Sequence, residues 1–283
     1  MERTEPERLT RRLVLAAGGA SLAAPALAAD PVRLEGRPVQ GGYLVGRTVP
    51  GARILLDAQP VGFAGDTGAF LLGFDRDASA RAVLQVDGRG VAFEKVLAVA
   101  PGTFGVQRVD GVPQSTVTPT DPALLARIRR ERALKDAAFA SVAPGEDFAG
   151  GFAWPLERYR ISSRFGNQRI LNGTPDRPHY GVDLAAPAGS AITAPAAGLV
   201  VLAEPAMHFE GGLTLVDHGQ GLISCYLHQS RLLVAKGERV LRGQTIGRVG
   251  MTGRATGPHL CWRLRWRGRN LDPSLLTGPR TAA

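Results

Sequence analysis

Hydrophobic and polar positions along this chain alternate over short runs, and turn residues interrupt the alternation about every ten residues. Arg53-Ile54-Leu55-Leu56 and Ala82-Val83-Leu84-Gln85-Val86 read as strands, punctuated by Gly41-Gly42, Val49-Pro50-Gly51, Gly65-Asp66 and Asp87-Gly88. That spacing predicts a small β-sandwich-like module over residues 30–112. An extended linker follows, from Val112-Pro113 to Thr118-Pro119. Leu124, Leu125, Ile128, Leu134 and Phe139 then recur at helical spacing. Thr120 or Asp121 is placed to cap this helix, Pro122 suits its first turn, and Pro144-Gly145 follows its end near Ser141. Residues 113–149 are therefore read as a linker carrying one amphipathic helix that packs on a neighbouring domain.

Strand patterns return over residues 150–276. The candidates are 191–193, 198–202, 213–216, 222–227, 245–249 and 260–266, with glycines between nearly all of them. The expected fold is mainly β: an N-terminal β-sandwich-like module, a linker helix and a C-terminal antiparallel β-sheet domain.

Composition adjusts this picture in a few places. A length of 283 residues suits two modest domains, and 36 Gly with 20 Pro fits short strands joined by turns. The formal net charge of +9 favours polyanionic partners such as cell-wall polymers or anionic lipid, with a plainly solvated Arg-rich surface as the alternative. No basic run is interleaved with stacking aromatics and no helix-turn-helix or zinc-finger spacing occurs, so a nucleic-acid partner is not expected. Near the N-terminus, Thr10-Arg11-Arg12-Leu13-Val14-Leu15 opens a mild apolar stretch that closes with Ala26-Leu27-Ala28. Residues 1–29 are read as a signal peptide of twin-arginine type, with a general secretory signal as the alternative. Gly18, Gly19 and Pro25 break that stretch, so no stable membrane span is expected, and the mature chain is placed in the periplasm or outside the cell.

The chemistry-bearing residues lie in the C-terminal half. His179 and Asp183 are four residues apart, but Pro178, Gly181 and Pro187 argue against a helix. On a straight strand they would sit about 13 Å apart, so the segment must bend, and Gly181 is the residue expected to permit the bend. His259 and Cys261 are i and i+2 on a strand, on one face and about 6.5 Å apart. His, Asp and Cys are ordinary zinc donors, and three protein ligands with an open position define a catalytic site. His228, in Tyr226-Leu227-His228, offers a further imidazole.

Four segments in order carry a resemblance: His179-Tyr-Gly-Val-Asp183-Leu-Ala-Ala-Pro, Tyr226-Leu-His228, Gly237-Glu-Arg-Val-Leu-Arg-Gly243 and Thr256-Gly-Pro-His259-Leu. Together they resemble the lysostaphin-type or LytM-type zinc endopeptidases, family M23, over roughly residues 150–276. The resemblance implies a Zn2+ cofactor, with His179 and Asp183 as ligands and His228 and His259 as catalytic histidines. It also implies a third ligand at a position where this chain has Cys261 in place of histidine. A thiolate binds zinc but donates more charge than imidazole, which makes the metal a poorer Lewis acid. The implied substrate is peptidoglycan, cut in its peptide stems or cross-bridges. The alternative is a LytM-type domain without catalysis that binds peptidoglycan or activates a cell-wall amidase; the expected partners are peptidoglycan and a cell-wall amidase or envelope protein. A biotin- or lipoyl-carrier barrel is a third reading, but Lys236 lacks the sequence context of a modified lysine.

A Cys225–Cys261 disulfide is disfavoured on parity, because Cys225 should face away from His228 while Cys261 shares the face of His259. His218 reads as structural, in a hairpin turn, and His208 as a loop residue that is not a ligand. Trp262 and Trp266 are expected in the core. Arg164 is equally placed to meet a substrate carboxylate or to lie on the surface.

Overall fold

The structure, a computed structural model, describes Met1 and residues 30–277, so the expected signal peptide lies, apart from Met1, outside the described residues. The N-terminal part forms two antiparallel sheets. In one, Tyr43–Arg47 lies between Arg33–Gly36 and Ala69–Gly73; in the other the order is Gln59–Phe63, Arg53–Leu56, Arg81–Gly88, Val91–Ala98. Alternation along Arg81–Gly88 sends Ala82, Leu84 and Val86 inward. Ala69–Gly73 shows no alternation because all five of its residues are buried. Asp57 and Ala58, both with positive φ, form the two-residue turn between Leu56 and Gln59, the geometry that matches strand twist.

This part shares one hydrophobic core with the C-terminal sheet, in which Ile54, Phe70 and Leu84 belong to the same cluster as Trp262 and Trp266. Gly73 sits at the closest approach, where an added Cβ would meet Leu271 and Trp266 at 3.0 Å. Backbone and side-chain hydrogen bonds cross the same boundary, from Asp272 N to Gly41 O at 2.7 Å and from Gln220 Nε2 to Ala69 O at 2.9 Å.

The linker helix spans Pro122–Phe139, and Asp121 caps it by accepting from Ala123 N at 2.9 Å. Its expected amphipathic packing is corrected: Ala138 alone of its residues is fully buried, and Leu134 is 46% exposed. At 100° per residue Leu134 falls roughly 80° away from Leu124, outside the stripe formed by Ile128 and Phe139. Polar contacts hold the helix instead. Lys135 pairs with Glu210, Arg127 donates to Ala206 O, and the Arg265 guanidinium stacks 4.4 Å from the centre of the Phe139 ring. The preceding stretch is not simply extended, since Gln114–Thr116 forms a 3-10 turn.

The C-terminal half is built on a large antiparallel sheet with the order Arg239–Val240, Gly198–Met207, Gly211–Asp217, Leu222–Gln229, His259–Trp266, Val182–Ala185, Arg160–Ser163. Its Gly211–Asp217 and Leu222–Gln229 strands are buried throughout, so the sheet is covered on both faces. Trp262 and Trp266 are in the core, as expected. Beside the sheet, Val106–Val109 pairs in parallel with Gln168–Leu171, bringing a strand from ahead of the helix next to the C-terminal sheet.

Candidate metal centre

Strand register assembles the centre. Asp183 lies directly opposite Cys261 across the antiparallel pair, so their side chains share a face, and Ala185 lies opposite His259. His179 precedes the Val182–Ala185 strand. Its backbone is fixed by His179 N donating to Asn167 O (2.8 Å) and by Gly166 N donating to its own carbonyl (2.7 Å). The bend this requires is present, but Gly181 serves it differently from the expectation. Its φ is not in the left-handed region; instead, a Cβ there would lie 2.6 Å from Arg263 Cγ and 2.8 Å from Trp262 O. Glycine is needed for closeness rather than for conformational freedom.

One donor atom from each of His179, Asp183 and Cys261 lies within 4.8 Å of the other two, and all three residues are buried. Hydrogen bonds fix the tautomer of His179. Ser163 Oγ donates to Gln107 Oε1 (2.5 Å), so it accepts from His179 Nδ1 (2.9 Å), which leaves the lone pair on Nε2. That Nε2 lies 3.1 Å from Asp183 Oδ1 and 3.3 Å from Cys261 Sγ. Asp183 Oδ1 is buried and accepts no well-aligned hydrogen bond. Three electron-pair donors thus face one small volume, an arrangement that only a proton held among them or a metal ion satisfies. The ion-free electrostatics agree: burial pulls His179 down, yet Asp183 and Cys261 together bring it above its ordinary value. Burial alone would raise the Asp183 carboxyl, but His179 and the Arg169 guanidinium, 2.6 Å from Oδ2, hold it well below the usual carboxylate range.

His228 and His259 sit beside this cluster with ring centres 4.7 Å apart. Leu227 pairs with Cys261, so simple alternation would turn His228 to the opposite face. His228 instead has φ +65°, a left-handed conformation that costs a residue with a Cβ about 1–2 kcal/mol and redirects the ring toward His259. Each ring points Nδ1 at a backbone carbonyl, that of Thr252 for His228 and that of Gly257 for His259, both at 2.8 Å. A carbonyl only accepts, so Nδ1 carries the proton and Nε2 presents a lone pair. Burial pushes His228 down to about 4 and also lowers His259, so both rings are neutral at pH 7.

The structure therefore brings together all five residues singled out from the sequence. It also adds four that carried no signal there: Gln107 and Ser163 orient His179, Arg169 binds Asp183, and Arg263 Nε donates to Cys261 Sγ at 3.3 Å. Their roles depend on cross-strand proximity, which no local motif encodes.

Both cysteines are free thiols and buried. The parity argument against a disulfide is nevertheless corrected. Cys225 pairs with Arg263 and Leu227 with Cys261, so Cys225 shares the face of Cys261, and both belong to one apolar cluster. The left-handed turn at His228 is what broke the alternation. His218 is fully buried, with both ring nitrogens engaged, by Ala197 O at 2.6 Å and Ser224 Oγ at 2.7 Å. His208 bonds Ser115 O and is not a member of the donor cluster, and Arg164 is exposed. A cavity of about 470 Å³ is lined by His179 and His228 and also by Glu131 and Lys135 of the linker helix.

Comparison with known proteins places this geometry. The model of peptidase family M23 matches residues 177–273. A crystal structure from Pseudomonas aeruginosa assigned to peptidase M23 is 31% identical, with a TM-score of 0.67 over 86% of this chain and 96% of that one. The chain belongs to peptidase family M23. The peptidoglycan DD-endopeptidase ShyA of Vibrio cholerae is 42% identical over 121 residues, which is 42% of this chain and 28% of that protein. The DD-carboxypeptidase/endopeptidase Mpg of Neisseria meningitidis is 39% identical over 127 residues, 44% of this chain and 29% of that protein. The chain thus spans less than a third of the length of these curated relatives.

Proposed function

We propose that this chain is a zinc-dependent endopeptidase that hydrolyses peptide bonds in the stem peptides or cross-bridges of peptidoglycan. The observation that carries the reading is the convergence of His179 Nε2, the Asp183 carboxylate and Cys261 Sγ beside two neutral histidines. The donor set suits zinc, and the orphaned Asp183 Oδ1 is the buried oxygen that a cation would satisfy. When bound, a zinc ion would polarise the scissile carbonyl and acidify a water molecule. His228 and His259, each with an unprotonated Nε2, take up the proton of the attacking water and return it to the leaving amine. Thr252 and Gly257 keep both rings in the tautomer that this requires. Gln107 and Ser163 do the same for His179.

The substrate class is supported by the relatives named as peptidoglycan endopeptidases and by the formal net charge of +9. Periplasmic or secreted placement is supported by the Thr10-Arg11-Arg12 motif and its small-residue cleavage site. No described helix is long and apolar enough to cross a membrane. In this reading residues 150–276 are the peptidase domain, 113–149 the linker and 30–112 a module that supports it.

Cys261 favours a second reading, a lapsed LytM-type domain that binds peptidoglycan or activates a cell-wall amidase. Zinc stoichiometry and digestion of purified peptidoglycan separate the two. The endopeptidase reading expects about one zinc per wild-type chain. It also expects both zinc and activity to vanish in Asp183→Ala and Cys261→Ala. A zinc-free, inactive wild type would favour the wall-binding reading, and an Asp183→Ala variant with full activity would sink the site assignment.

A further inference from the structure

Cys261 brings a formal negative charge to the centre that an imidazole would not. With Asp183 the donors would then carry two negative charges, enough to neutralise a divalent cation and blunt it as a Lewis acid. The fold places a counterweight on the same strand. Arg263 is two residues from Cys261, on the same face, and its Nε–H donates to Sγ at 3.3 Å. Room for that contact exists because residue 181 is glycine, whose missing Cβ would otherwise lie 2.6 Å from Arg263 Cγ and 3.3 Å from Cys261 Sγ. The carboxylate of Glu210 also acts on the guanidinium through its charge, and Lys135 of the linker helix holds that carboxylate in an ion pair. The side-chain hydrogen bond of Arg263 goes to the sulfur.

We infer that Arg263 is a positioning residue that fixes the Cys261 sulfur by hydrogen bonding and withdraws charge from it, restoring the electrophilicity of a metal held by His179, Asp183 and Cys261. The inference rests on the metal-centre reading above. A hydrogen bond to a ligand atom is the usual means by which a protein tunes a metal without touching it, and losing one typically costs about 10- to 100-fold in affinity or activity.

Cobalt(II) loaded in place of zinc provides the test, because sulfur-to-cobalt charge transfer reports electron density on the thiolate directly. Arg263→Gln should move that absorption band to longer wavelength and lower kcat by about 10- to 100-fold, leaving KM nearly unchanged. Arg263→Lys, which keeps the positive charge, should restore part of both effects. It also carries the comparison if circular dichroism shows that the glutamine variant does not fold. A band that stays in place in the variants while cobalt still binds would overturn the role of Arg263 alone. A wild-type protein that takes up cobalt with no sulfur band would show that Cys261 is not a ligand, and would overturn the inference together with that ligand assignment.

Discussion

The two halves of this chain build their interiors from different materials. Over residues 31–105 the described buried side chains are apolar, among them Ile54, Leu72 and Leu84. The charges there pair at the surface, as in Arg53 with Asp87, whose side chains are 52% and 43% exposed. The C-terminal sheet region buries Ser163, His179, Asp183, Asp217, His218, Ser224, His228 and Gln229. Each such group loses hydration that only a hydrogen bond or a charge partner replaces. The N-terminal half shows that the chain folds sheets without that expense, so the polar interior of the second half calls for another explanation. Within it, ring nitrogens sort the histidines. His218 commits both to the fold, whereas His228 and His259 each commit Nδ1, and the Nε2 of His259 lies 3.8 Å from Asp183 Oδ1.

The sharpest way to break this contrast is a matched pair of variants. His228→Asn, chosen because asparagine tolerates the left-handed backbone, should lower turnover by about 10²–10⁴-fold while the protein stays folded. Leu84→Ala, in the apolar half, should cost about 2–5 kcal/mol in denaturant unfolding and leave turnover per folded molecule unchanged. Equal losses of turnover in both would erase the distinction. A smaller effect separates the structural histidine from the others. Burial pushes His218 down to about 4, against an ordinary value of 6.5, so the native state keeps the ring neutral where the unfolded chain binds a proton. Its contribution is fully present above pH 6.5 and is lost as pH falls through 4, for a total on the order of 3 kcal/mol. Thermal midpoints measured between these limits should fall with pH, and His218→Gln should flatten the slope. A slope that persists in the variant would assign the acid sensitivity elsewhere.

Much of this was legible before the structure. The strand patterns at 53–56, 82–86 and 260–266 lie within observed strands, and the Asp121–Pro122 pair marked the helix start because capping chemistry is local. The five clustered residues were readable from short motifs whose spacing survives in one dimension. Arg169 was not, because its partner Asp183 lies fourteen residues on, in another sheet. Gln107 was not, because it reaches Ser163 from a strand ahead of the helix. The face of Cys225 was misjudged for a related reason. Counting residues along a strand assumes an unbroken pleat, and the backbone at His228 breaks it.

The order of strands in the large sheet has a consequence for the birth of the molecule. His259–Trp266 lies in the middle of the sheet, between Leu222–Gln229 and Val182–Ala185, yet it is synthesised after both of them. Until it emerges, the strands on its two sides have no common neighbour, and His179 and Asp183 wait without Cys261. The interior is closed from within rather than extended from an edge, which makes folding depend on contacts far apart in the chain. A nascent chain stopped before residue 259 therefore holds only a fragment of the donor set, and ion capture has to wait for this strand.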